Sequence, residues 1–173
     1  MYANESNRRD VYDGVVSHIR LPAPLPTVFI SDLEGATSEI QLRRNHIDVV
    51  VSVLCPDEPP ILHVPGVEYH RFSVRDGEGD IVQIAEQVAD LIDANPTRQF
   101  LIHCHAGMSR SASVVIYYVM RRFCMSYGRA KKLVKASRRI IRPSRHYAKQ
   151  LQALNGTMCI EQESDTEVER EDE

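Results

Sequence analysis

The segment at residues 101–113, LIHCHAGMSRSAS, contains the pattern on which the fold prediction depends. It continues an apolar run that starts at Phe100, and a short apolar run of this kind is typical of a buried strand. An apolar helical pattern follows from about Arg110 to Phe123, so the segment predicts a strand, a short loop and a helix. Cys104 lies at the end of the strand, and Arg110 lies six positions later, at the start of the helix.

The loop between Cys104 and Arg110 has the composition of an anion-binding site. Backbone N–H groups before a helix N-terminus can converge on a tetrahedral anion, and the same positive field favours a thiolate over a thiol. We therefore expect Cys104 to be a thiolate at neutral pH. Gly107 lets the backbone curve closely around a ligand, and the planar Arg110 guanidinium can bind two phosphoryl oxygens. The segment predicts a nucleophile beside a phosphate-binding loop.

Two other interpretations of these residues compete with this one. Cys104 could be a buried structural thiol, which is a common fate of free cysteine, but the accompanying glycine and arginine disfavour that. His103 and His105 could be metal ligands, but the sequence offers no further ligand cluster beside them. We therefore predict no metal at this site.

The rest of the sequence alternates between strand and helix patterns. Further strands are predicted at residues 27–30, 47–54 and 67–74. Further helices are predicted at residues 38–45 and 81–94, from Ser126 onward, and from near Pro143 and Ser144 onward. This alternation predicts a single-domain α/β fold, in which helices flank a central, mostly parallel sheet and the site lies at a strand's carboxyl end.

Charge and composition divide the chain into three parts. We predict an N-terminal extension at residues 1–25, a catalytic domain at 26–157 and an acidic, disordered tail at 158–173. The formal net charge is -3, but residues 161–173 alone carry -7, which leaves +4 for the remainder. Residues 113–160 contain no Asp or Glu, so we expect this half of the domain to attract anions.

The sequence also indicates the cellular environment. No apolar run approaches the length of about 18 residues that a membrane-spanning helix needs. The four cysteines, Cys55, Cys104, Cys124 and Cys159, are widely spaced and include no C-x-x-C pair, which favours reduced thiols and disfavours zinc. We expect an intracellular protein in the cytoplasm, with the nucleus as the alternative.

Three segments resemble one family of enzymes. HCHAGMSRS, at residues 103–111, looks like the H-C-x5-R-S/T signature of cysteine-dependent protein phosphatases. ASVVIYYVM, at residues 112–120, resembles the helix that follows in dual-specificity phosphatases, and RRIIRPSRHYAKQL is similar to their I-x-P-N-x-x-F-x-x-Q-L segment. The chain has no Trp and so cannot carry the tryptophan-containing acid loop of classical tyrosine phosphatases. The resemblance, from about residue 28 to 154, is to a small, atypical dual-specificity phosphatase with the cysteine-phosphatase fold.

The resemblance implies roles for individual residues. Cys104 would be the nucleophile, Arg110 would bind the phosphoryl group, Ser111 would stabilise the departing thiolate, and His103 would hold the loop shape. The remaining substrate-binding positions would be His105, Ala106, Gly107, Met108 and Ser109.

Two further positions depend on the same resemblance. The general acid would be Asp76, with Glu78 and Asp80 as rivals in the segment FSVRDGEGDI. Ser144 stands where the family usually has an asparagine that supports the phosphate loop through hydrogen bonds, and its shorter side chain puts loop rigidity in question.

The reaction implied is hydrolysis of phosphotyrosine and phosphoserine or phosphothreonine in proteins, through a phosphocysteine and without metal or organic cofactor. The partner would be a phosphorylated protein. Three alternatives are an enzyme for RNA 5′-phosphates, suggested by the basic half, an enzyme for phosphoinositides, and a phosphoprotein-binding module. The loop HAGMS lacks the lysines typical of phosphoinositide phosphatases, and stacking aromatics are not concentrated in the basic half, so nucleic acid is the weaker prediction.

Cys55 is predicted to have a redox role. Its strand and the Cys104 strand should be parallel and end at the same sheet edge, and some members of the superfamily carry a second cysteine at this place. A thiol there could condense with an oxidised Cys104. The competing interpretation is a small buried residue that closes the strand.

Overall fold

The computed structural model describes residues 14–21 and 27–157. The acidic tail, Cys159 and most of the predicted N-terminal extension lie outside the described residues. The strands are β1 (Ser17–Ile19), β2 (Thr27–Ser31), β3 (Val49–Leu54), β4 (Glu68–Ser73) and β5 (Gln99–His103). The helices are α1 (Leu33–Thr37), α2 (Glu39–Arg44), α3 (Ile81–Asp93), α4 (Arg110–Phe123), α5 (Tyr127–Ser137) and α6 (Arg145–Ala153).

The strands form one sheet in the order β1-β2-β5-β3-β4. β1 pairs antiparallel with β2, and the other three pairings are parallel. Every residue of β3 is buried, as expected for a parallel strand covered on both faces. Ser52 of β3 lies opposite His103 of β5, so the chain leaves both strands at the same carboxyl edge of the sheet.

Helices cover both faces of the sheet, and α4 is the central helix of the larger core. All its residues from Arg110 to Met120 are buried, which agrees with a segment that is apolar around most of its circumference. α3, α5 and α6 contribute to the same core, whereas α1 and α2 cover a smaller core on the opposite side, around Val50 and Leu101. The predicted α/β fold with a flanked, mostly parallel sheet is confirmed.

Two short elements of the structure were not predicted from the sequence. β1 has three residues and α1 has five, so neither is long enough to show a periodic pattern. α1 begins because the side chain of Asp32 accepts a hydrogen bond from the Gly35 N–H at 2.8 Å. In the described part of the chain, no helix combines the length and apolar character that crossing a membrane requires.

Candidate active site

A cleft of about 510 Å³ opens at the carboxyl edge of the sheet, where β3 and β5 end. It brings together side chains from the loops after β3, β4 and β5 and from the segment before α6. Its lining consists of Cys55, Asp57, Glu58, Asp76, Cys104, His105, Ala106, Met108, Ser109, Arg110 and Arg142. Most of the predicted site residues therefore meet in one place.

Two backbone carbonyls of the loop after Cys104 accept hydrogen bonds from main-chain groups outside the loop. The His105 carbonyl accepts from the Leu33 N–H at 3.0 Å, and the Met108 carbonyl accepts from the Arg142 N–H at 2.8 Å. In a planar trans peptide the carbonyl and the following N–H point in opposite directions. The N–H groups that follow these two carbonyls are therefore directed toward the interior of the loop, where they can bind an anion.

Gly107 is required by its backbone conformation and by its neighbour. Its φ is +63°, in the left-handed region that glycine adopts without strain. A Cβ at this position would lie 2.5 Å from the carbonyl oxygen of Ser31, at the end of β2. The loop can pack this closely against the sheet only with glycine here.

Arg138 holds the carbonyl of Gly107 from the far side of the loop. Its Nε donates to that carbonyl at 3.0 Å, its Nη1 donates to the Val15 carbonyl at 3.1 Å, and its Nη2 lies 3.9 Å from a carboxylate oxygen of Asp32. By the same peptide geometry, the bond from Arg138 turns the Met108 N–H toward the loop interior.

Arg138 lies in residues 113–160, the half of the domain that was predicted to attract anions. The structure shows instead that its side chain is inside the domain, with 2% of the residue exposed. Nothing in the local sequence distinguishes it from its exposed neighbour Arg139, because only the tertiary fold brings it to the loop.

The thiol of Cys104 is buried, with 2% of the residue exposed. The hydroxyl of Ser111, in the first turn of α4, donates to Cys104 Sγ at 3.2 Å. The Arg110 guanidinium reaches the same cleft, where its Nη1 lies 3.3 Å from Cys55 Sγ. The structure thus places two thiols, a hydroxyl and a guanidinium around one cleft.

Glu58 is a site residue that the sequence analysis missed. Its carboxylate is 3.0 Å from Arg110 Nη1 and 2.7 Å from His105 Nδ1, and it also accepts from the Cys55 N–H. Burial by itself raises the pKa of Glu58, but the hydrogen bonds from Cys55 and Arg110 outweigh it and lower the pKa to about 2. The carboxylate is therefore ionised and holds the guanidinium in the cleft.

The three acidic candidates for the general acid lie in different places. Asp76 lines the cleft, and its Oδ1 accepts from the Ser109 hydroxyl at 2.6 Å. Asp80 is the N-cap of α3, where its carboxylate accepts from two backbone N–H groups. Glu78 is exposed and is not part of the cleft lining. This geometry favours Asp76.

Ser144 contacts the loop through its backbone. Its N–H donates to the Ser109 hydroxyl at 3.0 Å, while its own hydroxyl accepts from the Tyr147 N–H and caps α6. The Ser109 hydroxyl therefore links Ser144 and Asp76 to the loop after Cys104. The short side chain at position 144 leaves this link intact because the main chain makes it.

His103 is fully buried beneath the loop. Its Nδ1 lies 3.3 Å from the Cys104 carbonyl and its Nε2 lies 2.7 Å from the Ser52 hydroxyl. Because a carbonyl can only accept, Nδ1 is the protonated nitrogen and Ser52 donates to Nε2. Burial lowers the pKa of His103 to about 4, so the ring is neutral at pH 7.

Comparison with known proteins identifies the family. Residues 28–156 match the family model described as the dual specificity phosphatase catalytic domain, and the chain therefore belongs to this family.

Individual relatives agree with this. The chain is 33% identical to the dual specificity protein phosphatase MPK-4 of Drosophila melanogaster, over 76% of this chain but only 35% of that protein's length. It is 30% identical to human dual specificity phosphatase 28, over 83% of this chain and 86% of the relative. The crystal structure of human DUSP28 matches with a TM-score of 0.67 and 28% identity, covering 80% of this chain and 97% of that chain.

The buried His103 predicts a specific pH dependence of stability. Its pKa is lower in the folded protein than in the unfolded chain, so only the unfolded chain gains a proton as the pH falls from about 6.5 to about 4. Between pH 7 and pH 5, the free energy of unfolding measured with urea should fall by about 2 kcal/mol more in the wild type than in His103→Gln. The control His63→Gln replaces an exposed histidine, and its free energy of unfolding should fall as much as that of the wild type. Equal losses in wild type and His103→Gln would contradict the argument.

The contact between Arg138 and Gly107 predicts an effect on anion binding. Lysine keeps the charge of Arg138 but cannot donate to several partners in a fixed plane, so Arg138→Lys should release the Gly107 carbonyl. Inorganic phosphate should then bind about 10-fold more weakly, measured by calorimetry, because one charged hydrogen bond no longer orients the loop. Arg139→Lys is the matched control and should bind normally. Unchanged affinity in a folded Arg138→Lys would show that the contact does not position the loop.

Proposed function

We propose that this chain hydrolyses phosphotyrosine and phosphoserine or phosphothreonine in proteins through a phosphocysteine at Cys104. The observation that carries the proposal is the Ser111 hydroxyl at 3.2 Å from Cys104 Sγ, beside Arg110 and a loop whose His105 and Met108 carbonyls are bonded to groups outside it. A buried thiol that only filled space would not need a donor, a cation and an anion cradle around it.

In the first step the Cys104 thiolate attacks phosphorus in line with the ester oxygen. A bond forms between Sγ and phosphorus, the bond to the ester oxygen breaks, and the departing oxygen takes a proton from Asp76. Arg110 and the loop amides hold the other three oxygens and stabilise their charge. The phosphoryl group competes with Glu58 for the Arg110 guanidinium, which has further N–H groups to offer.

In the second step water attacks the phosphocysteine. Asp76, now ionised, takes the proton of the water while the bond between Sγ and phosphorus breaks. The Ser111 hydroxyl donates to the departing thiolate and stabilises its charge. Inorganic phosphate leaves, and Cys104 returns to the thiolate form. Apart from the substrate and this water, each step uses only side chains and amides of this chain.

The first test replaces the nucleophile. Cys104→Ser should abolish turnover of a phosphotyrosine peptide but retain inorganic phosphate binding, because the loop amides and Arg110 remain. Arg110→Lys should lose both, since a point charge does not replace a planar fork. Steady-state kinetics and calorimetry separate the two results. Substantial turnover by Cys104→Ser would refute the proposed mechanism.

The same assay should compare phosphate classes. We expect hydrolysis of phosphotyrosine and phosphothreonine peptides to exceed that of a 5′-triphosphate RNA and a phosphoinositide. A reversed order would transfer the function to a non-protein phosphate, and phosphopeptide binding without turnover by the wild type would indicate a binding module.

The second test concerns the general acid. Asp76→Asn should lower kcat by about 10²- to 10⁴-fold on an alkyl phosphate, whose leaving group needs a proton, and much less on an activated aryl phosphate. Asp80→Asn is the matched control, since it removes a helix cap and should affect stability more than leaving-group dependence. A leaving-group effect in Asp80→Asn and none in Asp76→Asn would reverse the assignment.

We also propose that Cys55 protects the nucleophile from oxidation, because the two thiols line the same cleft. Peroxide would oxidise the Cys104 thiolate to a sulfenic acid and be reduced to water or hydroxide. The Cys55 thiol would then form the disulfide with release of water.

After peroxide treatment, peptide mass analysis should find the linkage between Cys55 and Cys104. Cys55→Ser should recover less activity than the wild type when thiol is added. The control Cys124→Ser should recover normally. Equal recovery in all three proteins would leave Cys55 a packing residue.

A further inference from the structure

An apolar groove lies directly beside the catalytic cleft. It has a volume of about 480 Å³ and is lined mainly by apolar side chains, namely Leu33, Leu54, Pro59, Pro60, Ile61 and Leu62. Glu58 and His105 line both the groove and the cleft, so the two cavities meet at this pair. A peptide that places its phosphate in the cleft can continue into the groove.

The floor of the groove is tied to the phosphate loop. Leu33 and Thr37 come from α1, and Leu54 is the buried last residue of β3. The Leu33 N–H donates to the His105 carbonyl, the same bond that orients the first peptide of the loop. An occupant of the groove would therefore rest on an element in fixed register with the catalytic loop.

Arg71 holds the outer wall in place. It donates to the carbonyls of Cys55 at 2.9 Å, Glu58 at 2.6 Å and Pro59 at 3.2 Å. Three bonds from one guanidinium fix the path of the segment after β3. The groove is thus held in shape by the protein's own hydrogen bonds, so binding would require little ordering of the chain.

The rim of the groove exposes apolar surface. Ile61 packs against the smaller core, whereas the next residue, Leu62, is 86% exposed. Pro59 and Pro60 are exposed beside it. A cluster of exposed apolar side chains bordering a cavity is typical of a binding surface.

The charges around the groove select the chemistry of its occupant. The Glu58 carboxylate is already paired with Arg110 and His105, and no lysine or arginine is among the described residues that line the groove. An acidic side chain would meet a carboxylate there without a free cation. On the cleft itself Arg142 offers a cation, so acidic residues are better placed on that part of the site. The groove suits an apolar side chain.

We propose that this groove is a specificity site that binds an apolar side chain one or two residues from the phosphorylated residue of the substrate. The proposal rests on the proposed function, since it requires a phosphoprotein substrate. Extended peptide advances about 3.3 Å per residue, so a neighbour within two residues can pass the Glu58–His105 pair and reach the groove.

The test uses phosphotyrosine peptides that differ at one position. Leucine, alanine or aspartate is placed in turn at each of the two positions on either side of the phosphotyrosine, and kcat/KM is divided by the value for phenyl phosphate. At one of these positions we expect leucine to exceed alanine by about 10-fold and aspartate to be poorest, because partial burial of a leucine favours binding by about this factor.

The variant Leu62→Gln should lower the leucine preference at least threefold, as a polar amide replaces the apolar rim. Ile40→Gln is the matched control, because Ile40 is exposed as well, at 79%, but does not line the groove.

Hydrolysis of all peptides without a leucine preference, or a preference that Leu62→Gln leaves unchanged, overturns the groove proposal alone. Hydrolysis of phenyl phosphate but of no peptide overturns the proposed function and the groove together. A dimer that light scattering detects in wild type but not in Leu62→Gln would assign the groove to a second copy and overturn the proposal.

Discussion

The orientation of the peptide groups between His105 and Ser109 is the constraint on which the rest of the site depends. An anion can be bound by backbone N–H groups only if the matching carbonyls find partners outside the loop, since an unpaired buried carbonyl is costly. Here the partners come from α1, from the segment before α6 and from the side chain of Arg138. Elements on both faces of the sheet therefore hold one loop of five residues, 105–109.

The cleft also has to stabilise a buried cation when no substrate is present. Arg110 is largely buried, and an unpaired charge in that position would be strongly unfavourable. Glu58 supplies the counter-charge, and the Cys55 N–H holds Glu58 in place. Substrate binding would thus bring a second anion into competition with Glu58 for the same guanidinium. This competition lowers the free energy that Arg110 contributes to substrate binding, but Glu58 keeps the guanidinium preorganised.

The position of Glu58 joins two properties of the site. Its carboxylate faces Arg110 and His105, and the residue also lines the apolar groove that begins where the cleft ends. In the segment after β3, Cys55 precedes Glu58 by three residues and the exposed Leu62 follows it by four. A single loop, held by Arg71, therefore borders Cys104, Arg110 and the surface that we assign to substrate choice.

The sequence by itself determined the parts of the site that are local. Cys104, Gly107, Arg110 and Ser111 lie within eight consecutive residues, and a strand followed by a helix leaves little freedom in how they are arranged. The apolar periods likewise predicted the longer helices and strands, because burial in a covered sheet imposes those periods. Asp76 and Ser144 were found through the family resemblance, and the contacts of Ser144 differ from those expected of its side chain.

Only the tertiary structure decided the roles of Glu58 and Arg138. Glu58 is 52 residues from Arg110, and Arg138 is 31 residues from Gly107, so no local pattern connects either pair. In the sequence both residues look like ordinary surface charges, Glu58 beside Asp57 and Arg138 beside Arg139. Glu58 and Arg138 differ from these neighbours in the direction in which the folded backbone points the side chain. The packing of distant elements sets that direction.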